Sequence, residues 1–205
     1  MHRIIRLINF LLLIYFCIIF RQNVIEAQND WRGYAVYRGG VLPMNLQYHA
    51  GLMGSYTRSE LNPVIHIAGS NHYVQYDSWG SFINGESYMG IRKPAGCSMS
   101  ATMRTAFVSK AEELIGLPYT FVNQIYYDLT SSNTRVVPSM ISNIRCDGVV
   151  EYVYEWYSCR VGGPDNYWNI TYNATANLNA HAGMNITPKK QCDNLLSFVS
   201  SGYPD

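Results

Sequence analysis

Residues 145–155 read Arg-Cys-Asp-Gly-Val-Val-Glu-Tyr-Val-Tyr-Glu. A cysteine followed by Asp-Gly and an apolar helical pattern predicts a thiol at the N-terminus of a helix that runs from about Cys146 to Tyr157. Unpaired backbone N–H groups and the positive end of the helix dipole converge at such a terminus. They favour the thiolate, which is the nucleophilic form of cysteine. The sequence therefore makes Cys146 the candidate nucleophile.

An earlier helix is predicted from Ser100 to Ile115. Met103, Phe107, Ala111 and Leu114 recur there at helical spacing. Between the two helices, residues 128–142 are polar and contain one proline, which predicts a loop.

Strands are predicted before the first helix, because short apolar or β-branched runs alternate with turn signals such as Gly-Gly and Asn-Pro. The four stretches are Trp31–Tyr37, Tyr48–Met53, Val64–Ala68 and His72–Asp77. Strands that follow one another this closely predict an antiparallel meander. With the two helices, the expected class is α+β.

Two histidines on neighbouring predicted strands are suited to serve as a base and its orienting group. Alternate side chains of a strand share a face, and one hairpin register places the rings of His49 and His66 side by side. His66 could then accept the N–H of His49 and leave the other nitrogen facing Cys146. His72 and Asp77 are alternative orienting groups. Small residues beside His49 leave room for a helix to approach.

The first residues are predicted to be a secretory signal peptide. Arg3 and Arg6 precede an apolar run from Leu7 to Phe20, which is shorter than the about 20 apolar residues of a membrane span. Cleavage near Ala27 defines a leader at 1–27, and an uncleaved N-terminal anchor is the alternative. The remainder is divided into a domain at 28–163 and a C-terminal extension at 164–205, in which little periodicity is visible.

The composition argues against several classes of protein. Charged residues make up 14% of the chain and the net charge is +1, unlike the basic surface of a nucleic-acid binder. There is no P-loop, and cysteine and histidine show no zinc-binding spacing. We therefore predict no nucleic-acid partner, no metal and no cofactor. The 17 tyrosines and four tryptophans suit a binding cleft, although packing on a sheet explains them equally well.

Export implies an oxidising compartment, so the cysteines are expected to form disulfides. Cys17 lies in the leader, and the mature chain keeps Cys97, Cys146, Cys159 and Cys192. If Cys146 stays reduced, one disulfide can form among the other three. We expect Cys159–Cys192, which would tie the extension to the domain. The alternative is that all four pair and that Cys146 is structural.

The segments around the two helices carry a resemblance to a known family. Residues 111–119 read Ala-Glu-Glu-Leu-Ile-Gly-Leu-Pro-Tyr and are followed, after a spacer, by the cysteine segment. This order resembles NlpC-type cysteine peptidases and amidases, in which a helix ending in Gly-x-Pro-Tyr leads to an Asp-Cys-Ser-Gly-Leu-Val helix. His-Ala-Gly-Leu-Met at 49–53 and Val-Ile-His-Ile at 64–67 precede the cysteine, as in the permuted branch that includes lecithin:retinol acyltransferase-like enzymes. The chain departs from the pattern at Arg145, at Asp147 and in a longer loop between the histidine strands.

The resemblance implies a papain-like fold, an antiparallel sheet packed against helices of which one carries the nucleophile. It implies that Cys146 attacks a carbonyl carbon, that His49 transfers the proton and that His66 orients His49. Tyr119 would line the site near the oxyanion. His181, in a second His-Ala-Gly, follows the cysteine as the base does in unpermuted relatives, and it is the rival base.

These features predict a secreted cysteine hydrolase that cleaves an amide bond in a peptide or peptidoglycan-like substrate, without stable membrane insertion after the leader is removed. A lipid acyltransferase or hydrolase, as in the permuted branch, is the alternative enzyme. A secreted binding module in which Cys146 is disulfide-bonded is the non-enzymatic alternative. The redox state of Cys146 separates this last possibility from the others.

Overall fold

The structure is a computed structural model that describes residues 30–41, 47–127, 135–161, 170–171 and 185–205, together with Leu12 and Tyr15. Residues Trp31–Asp205 form one compact unit, and Met1–Asp30 form another. Within the described part of the chain, no helix has the length and apolar character needed to cross a membrane. The predicted signal peptide and its cleavage site lie almost entirely outside the described residues.

A six-stranded antiparallel sheet forms the centre of the larger unit, in the order β4-β3-β2-β1-β5-β8. The strands are β1 (Ala35–Val41), β2 (Gln47–Met53), β3 (Val64–His66), β4 (Gln75–Asp77), β5 (Tyr88–Lys93) and β8 (Ser197–Ser200). A separate antiparallel pair consists of β6 (Ile125–Tyr127) and β7 (Ile141–Ile144). The expected α+β class and the antiparallel meander β1–β4 are both confirmed.

Strand boundaries differ from the sequence expectation at β1 and β7. β1 begins later than Trp31 and continues through Gly39 and Gly40, where a turn was predicted. Gly40 has φ +80°, a conformation that other residues rarely adopt, which explains why glycine occupies this position of the strand. β7 begins inside the segment predicted to be a loop, and residues 128–134 of that segment lie outside the described part.

Among the described residues, three α-helices longer than one turn pack around the sheet: α1 (Trp79–Ile83), α2 (Ala101–Glu112) and α3 (Cys146–Trp156). The Ser100 side chain accepts the N–H of Met103 and caps α2, as the sequence predicts. α3 begins at Cys146, also as predicted. The short helix α1 was not predicted, and its N-cap is Ser78.

The helix α3 is buried on nearly all sides. Every residue from Cys146 to Glu155 is buried, and the helix packs against β2 and α2. Gly148 permits a close approach of α3 to the backbone just before β6, because a Cβ there would lie 2.4 Å from the carbonyl oxygen of Gln124. The apolar spacing predicts that Val149, Val150, Val153 and Tyr157 form the buried face of α3; the three valines are fully buried, and Tyr157 is half-buried. Burial of this apolar helix fixes its first turn against the strand that carries His49.

The C-terminal residues belong to the same compact unit as the sheet, although the sequence suggested an extension of little periodicity. A helical turn, Pro188–Lys190, runs into a π-helical turn, Gln191–Leu195, and β8 then pairs with β5 at the sheet edge. The Gln191 side chain accepts the hydroxyl of Tyr37 at 2.6 Å and donates to the carbonyl of Asp147 at 3.0 Å. Through Gln191, this segment therefore links the start of α3 to β1 of the sheet.

Candidate active site

Cys146 occupies the first turn of α3 and meets β2 at Ala50. Its thiol is free, and the residue is 5% exposed. The sulfur accepts hydrogen bonds from the backbone N–H groups of Ala50 and Asp147. Ala50 follows His49 directly in β2, where consecutive side chains point to opposite faces. The thiol packs with Ala50, and the His49 ring packs against Phe82. In the described part of the chain, no hydrogen bond joins the sulfur to the imidazole itself.

The protonation state of Cys146 differs from the sequence expectation. Burial, followed by the negative charge of Asp147, raises the pKa of the Cys146 thiol to about 12. The hydrogen bonds from Ala50 and Asp147 and the charge of Arg145 act in the opposite direction but are outweighed. The expectation that the helix terminus keeps the cysteine as a thiolate is therefore wrong for the protein without substrate. Desolvation of the sulfur exceeds the benefit of the helix N-terminus.

His49 and His66 lie side by side, as the strand register predicts. The Nε2 atom of His49 is 2.8 Å from the Nδ1 atom of His66, and both residues are buried. The Nε2 atom of His66 lies 3.4 Å from a carboxylate oxygen of Asp77 on β4. Three side chains from adjacent strands β2, β3 and β4 thus form one line of hydrogen bonds.

The carboxylate of Asp77 determines the direction of these bonds. Partial burial raises the pKa of Asp77, but hydrogen bonds from Ser78, Ser81 and His66 outweigh this and lower it. An ionised carboxylate only accepts hydrogen bonds, so His66 donates through Nε2 and keeps Nδ1 as an acceptor. His49 then donates through Nε2, which leaves its Nδ1 atom without a proton.

Both imidazoles are neutral at ordinary pH. Burial lowers the pKa of His66 to about 4, in spite of its hydrogen bond to Asp77. Burial also lowers the pKa of His49 well below its usual value, and the charges of His66 and Arg38 add to this effect. The resting site therefore contains a neutral thiol and a neutral imidazole with a free acceptor nitrogen.

Phe82 of α1 packs against the two histidines. Its ring centroid lies 5.7 Å from that of His49 and 5.4 Å from that of His66. A Cβ on Gly51 would lie 2.9 Å from the Phe82 ring, so glycine is required for this contact. The space predicted beside His49 is thus filled by α1, while α3 reaches the strand at Ala50. The aromatic ring keeps water from the histidine pair.

The two departures from the family pattern, Arg145 and Asp147, pair with each other. Arg145 Nε and Nη2 donate to the two carboxylate oxygens of Asp147 at 2.6 and 2.9 Å, and both side chains are fully buried. Arg145 Nη2 also donates to the carbonyl oxygen of Ile186 at 2.6 Å. The pair therefore ties the start of α3 to the C-terminal segment. Its charges flank Cys146 and largely offset each other.

Tyr119 lies beside the strand that leads into Cys146. Its backbone forms an isolated bridge with Ile144, two residues before Cys146, and its N–H donates to His72. Burial, followed by the charge of Cys146, raises the pKa of Tyr119. A phenol that keeps its proton can donate a hydrogen bond to an oxyanion.

The disulfide predicted between Cys159 and Cys192 is wrong. Cys97 pairs with Cys159 instead, with 5.4 Å between their Cα atoms. Cys192 is a buried free cysteine whose carbonyl oxygen accepts a hydrogen bond from Arg92 of β5. Cys159 lies just beyond α3, so the bond joins the end of this helix to the segment before α2. The alternative in which Cys146 is disulfide-bonded does not hold either.

Sequence reasoning missed Phe82, which lies on the unpredicted helix α1, and Arg38. Arg38 is the cross-strand partner of His49 and is 7% exposed. A single arginine between a predicted strand and a predicted turn gives no signal, because arginines usually lie in solvent. The rival base His181 lies outside the described residues.

No ligand set for a metal is present in the described part: no three residues among His, Cys, Asp and Glu group closely enough to hold an ion. Comparison of the chain with protein-family models, with curated proteins and with solved structures found no match. The chemistry of the site therefore carries the functional argument.

Proposed function

We propose that this protein is a secreted cysteine hydrolase that cleaves an amide bond, with a papain-like fold of the permuted NlpC type. One observation carries the proposal. A line of hydrogen bonds from the half-buried Asp77 through His66 to His49 leaves one imidazole nitrogen as a bare acceptor, and the backbone N–H of the next residue, Ala50, binds a reduced thiol. A nucleophile, a base and an oriented third group are the parts that acyl transfer requires.

The chemical steps follow from the neutral resting state. When substrate displaces water, His49 Nδ1 takes the proton of Cys146 as the sulfur forms a bond to the carbonyl carbon. The backbone N–H of Cys146 and the Tyr119 hydroxyl stabilise the oxyanion. Collapse breaks the C–N bond, and the imidazolium returns its proton to the leaving amine. Water then hydrolyses the thioester with His49 again as the base and restores the thiol.

His66 and Asp77 act through His49 in this scheme. The imidazolium formed at His49 donates to His66, whose other nitrogen donates to Asp77, so the positive charge is stabilised within a buried site. The same bonds fix the tautomer and the ring orientation of His49 before substrate arrives. This preorganisation offsets the cost of moving a proton in a poorly solvated site.

A cell-wall peptide is the leading substrate under this proposal. The disulfide Cys97–Cys159 is compatible with an oxidising compartment outside the cytoplasm, where such peptides occur. Secretion itself remains part of the proposal.

Incubation with purified peptidoglycan fragments and, separately, with phospholipid vesicles tests the proposal when products are read by mass spectrometry. We expect new amine and carboxyl termini from the peptide and an acyl adduct on the peptide that contains Cys146. The matched control is Cys192→Ala, because Cys192 is the other buried free cysteine. Products from lipid alone would favour the acyltransferase alternative. The absence of any product or adduct with both substrates would contradict hydrolysis of either class.

A further inference from the structure

Arg38 lies in the middle of β1, directly opposite His49 on β2. Their Cα atoms are cross-strand partners, and partners in an antiparallel pair share a face of the sheet. Arg38 also interacts electrostatically with Cys146 and with both histidines of the site. The guanidinium therefore stands beside the candidate base and acts electrostatically on the candidate nucleophile.

The positive charge of Arg38 is only partly matched by this protein. Nη1 donates to the carbonyl oxygen of Gly39 at 3.1 Å, whereas Nε is buried and has no hydrogen-bond partner. No carboxylate of the described residues forms an ion pair with Arg38. Glu86 interacts with it electrostatically, but the Glu86 carboxylate packs against Gly40. A buried guanidinium with an unsatisfied N–H donor lowers the stability of the fold unless an anion accepts that hydrogen bond.

We propose that Arg38 binds a carboxylate of the substrate, which makes the substrate class an anionic amide. This inference rests on the proposed function. Arginine suits the role because its planar fork of N–H groups matches the two oxygens of a carboxylate.

The position of Arg38 indicates on which side of the cleaved amide bond this carboxylate lies. His49 returns its proton to the leaving amine, so the leaving half lies on the side of His49. Arg38 is the cross-strand partner of His49 and faces that same side. The oxyanion is stabilised by hydrogen bonds from the backbone N–H of Cys146, at the start of α3, and from the hydroxyl of Tyr119. The carboxylate therefore belongs to the amine product, as when a residue with a free carboxyl group is released from a peptide.

Two alkylating reagents of similar size test this subsite without knowledge of the substrate. Iodoacetate carries a carboxylate and iodoacetamide does not, and in both reactions the sulfur forms a C–S bond while iodide leaves. The rates at Cys146 are measured by mass spectrometry of its peptide, with glutathione as the unassisted thiol. We expect the iodoacetate-to-iodoacetamide ratio at Cys146 to exceed that of glutathione by about tenfold or more, since a hydrogen bond to a charged group contributes this much.

Variants of Arg38 then test whether this residue causes the preference of Cys146 for iodoacetate. Arg38→Met removes the preference and Arg38→Lys keeps part of it, whereas Arg58→Met leaves it unchanged because Arg58 pairs with Asp205 at the surface. A change in the intrinsic reactivity of the thiol alters the rates with both reagents equally, so it does not alter their ratio. If Arg38→Met does not fold, the wild-type ratio and its decrease on addition of acetate still decide the question.

The outcomes separate this inference from the proposed function. A wild-type ratio equal to that of glutathione, or an unchanged preference in a folded Arg38→Met protein, overturns the carboxylate subsite alone. Labelling of Cys146 by iodoacetamide that is as slow as labelling of Cys192 overturns the proposed nucleophile and the subsite with it.

Discussion

The Nε2 atom of His49 lies 2.8 Å from the Nδ1 atom of His66 inside the protein. Two neutral imidazoles this close must divide the roles of donor and acceptor, and Asp77 settles the division by accepting from the other nitrogen of His66. The strand register that aligns the rings thereby prepares His49 to accept a proton. The functional account depends on this pairing.

Replacement of the two histidines is expected to have unequal effects on catalysis. His49→Ala removes the general base and lowers kcat/KM by about 10²–10⁴-fold. His66→Ala only weakens activity, because it removes the orienting group and leaves the base in place. Steady-state kinetics on a cleaved fragment measure both effects, with His72→Ala as a control because His72 is exposed. Full activity in His49→Ala would point to His181 as the base.

Replacement of the nucleophile separates catalysis from stability. Cys146→Ala abolishes turnover and changes the free energy of unfolding by only about 1 kcal/mol, because the alanine keeps most of the buried volume. Cys192→Ala is the matched control, since this buried thiol is not part of the site. Turnover assays and urea denaturation of both variants provide the comparison. Equal activity in the two variants would exclude Cys146 as the nucleophile.

Acid is expected to destabilise the protein through the buried histidines. The pKa of His66 is about 4 in the folded protein and near 6.5 when unfolded, so the unfolded chain binds more protons between these values. The stabilisation is complete above pH 6.5 and is lost as the pH falls towards 4, by about 3 kcal/mol from His66 alone. His49, whose pKa is also lowered, adds to the loss.

Urea denaturation at pH 7, 5.5 and 4.5 measures this dependence. His66→Gln should flatten the decrease in stability over this range, whereas the exposed His72→Gln should not. An identical pH dependence in wild type and His66→Gln would show that His66 titrates normally in the folded state.

The disulfide joins residues that are 62 positions apart in the chain. Closure of a loop of this length is expected to stabilise the protein by about 2–4 kcal/mol, so Cys97→Ala lowers the free energy of unfolding by that amount. Cys192→Ala lacks this effect. Non-reducing peptide mapping should recover Cys97 linked to Cys159. A peptide that links Cys159 to Cys192 would contradict the assignment.

Local patterns were sufficient to predict the parts of the fold that lie nearest to Cys146. The apolar pattern after Cys146 defined α3, and the Ser100 cap defined the start of α2. The alternation around His49 and His66 predicted β2, β3 and the contact of their rings. The helix cap, the helical spacing, the β-branched runs and the turn signals are local features, so sequence alone reveals them.

The remaining elements depend on tertiary structure. β8 is a short edge strand held by backbone hydrogen bonds to β5, which leave no periodic signal. The partner of Cys159 depends on which segment packs against the end of α3 in the folded protein, and sequence alone does not determine how cysteines pair in disulfides. The state of Cys146 was mispredicted because the helix terminus is visible in sequence while desolvation is not. Arg38 enters the site only because the sheet buries it.

The relative reactivity of the two free thiols tests the central claim most directly. Burial raises the pKa of both Cys146 and Cys192 to about 12, so burial alone predicts similar slow labelling by iodoacetamide at pH 7. With His49 as its base, Cys146 should react at least about tenfold faster than Cys192 in the wild type, and His49→Ala should remove this advantage. Equal rates at the two cysteines in the wild type, or an undiminished advantage in His49→Ala, would contradict a thiol activated by His49.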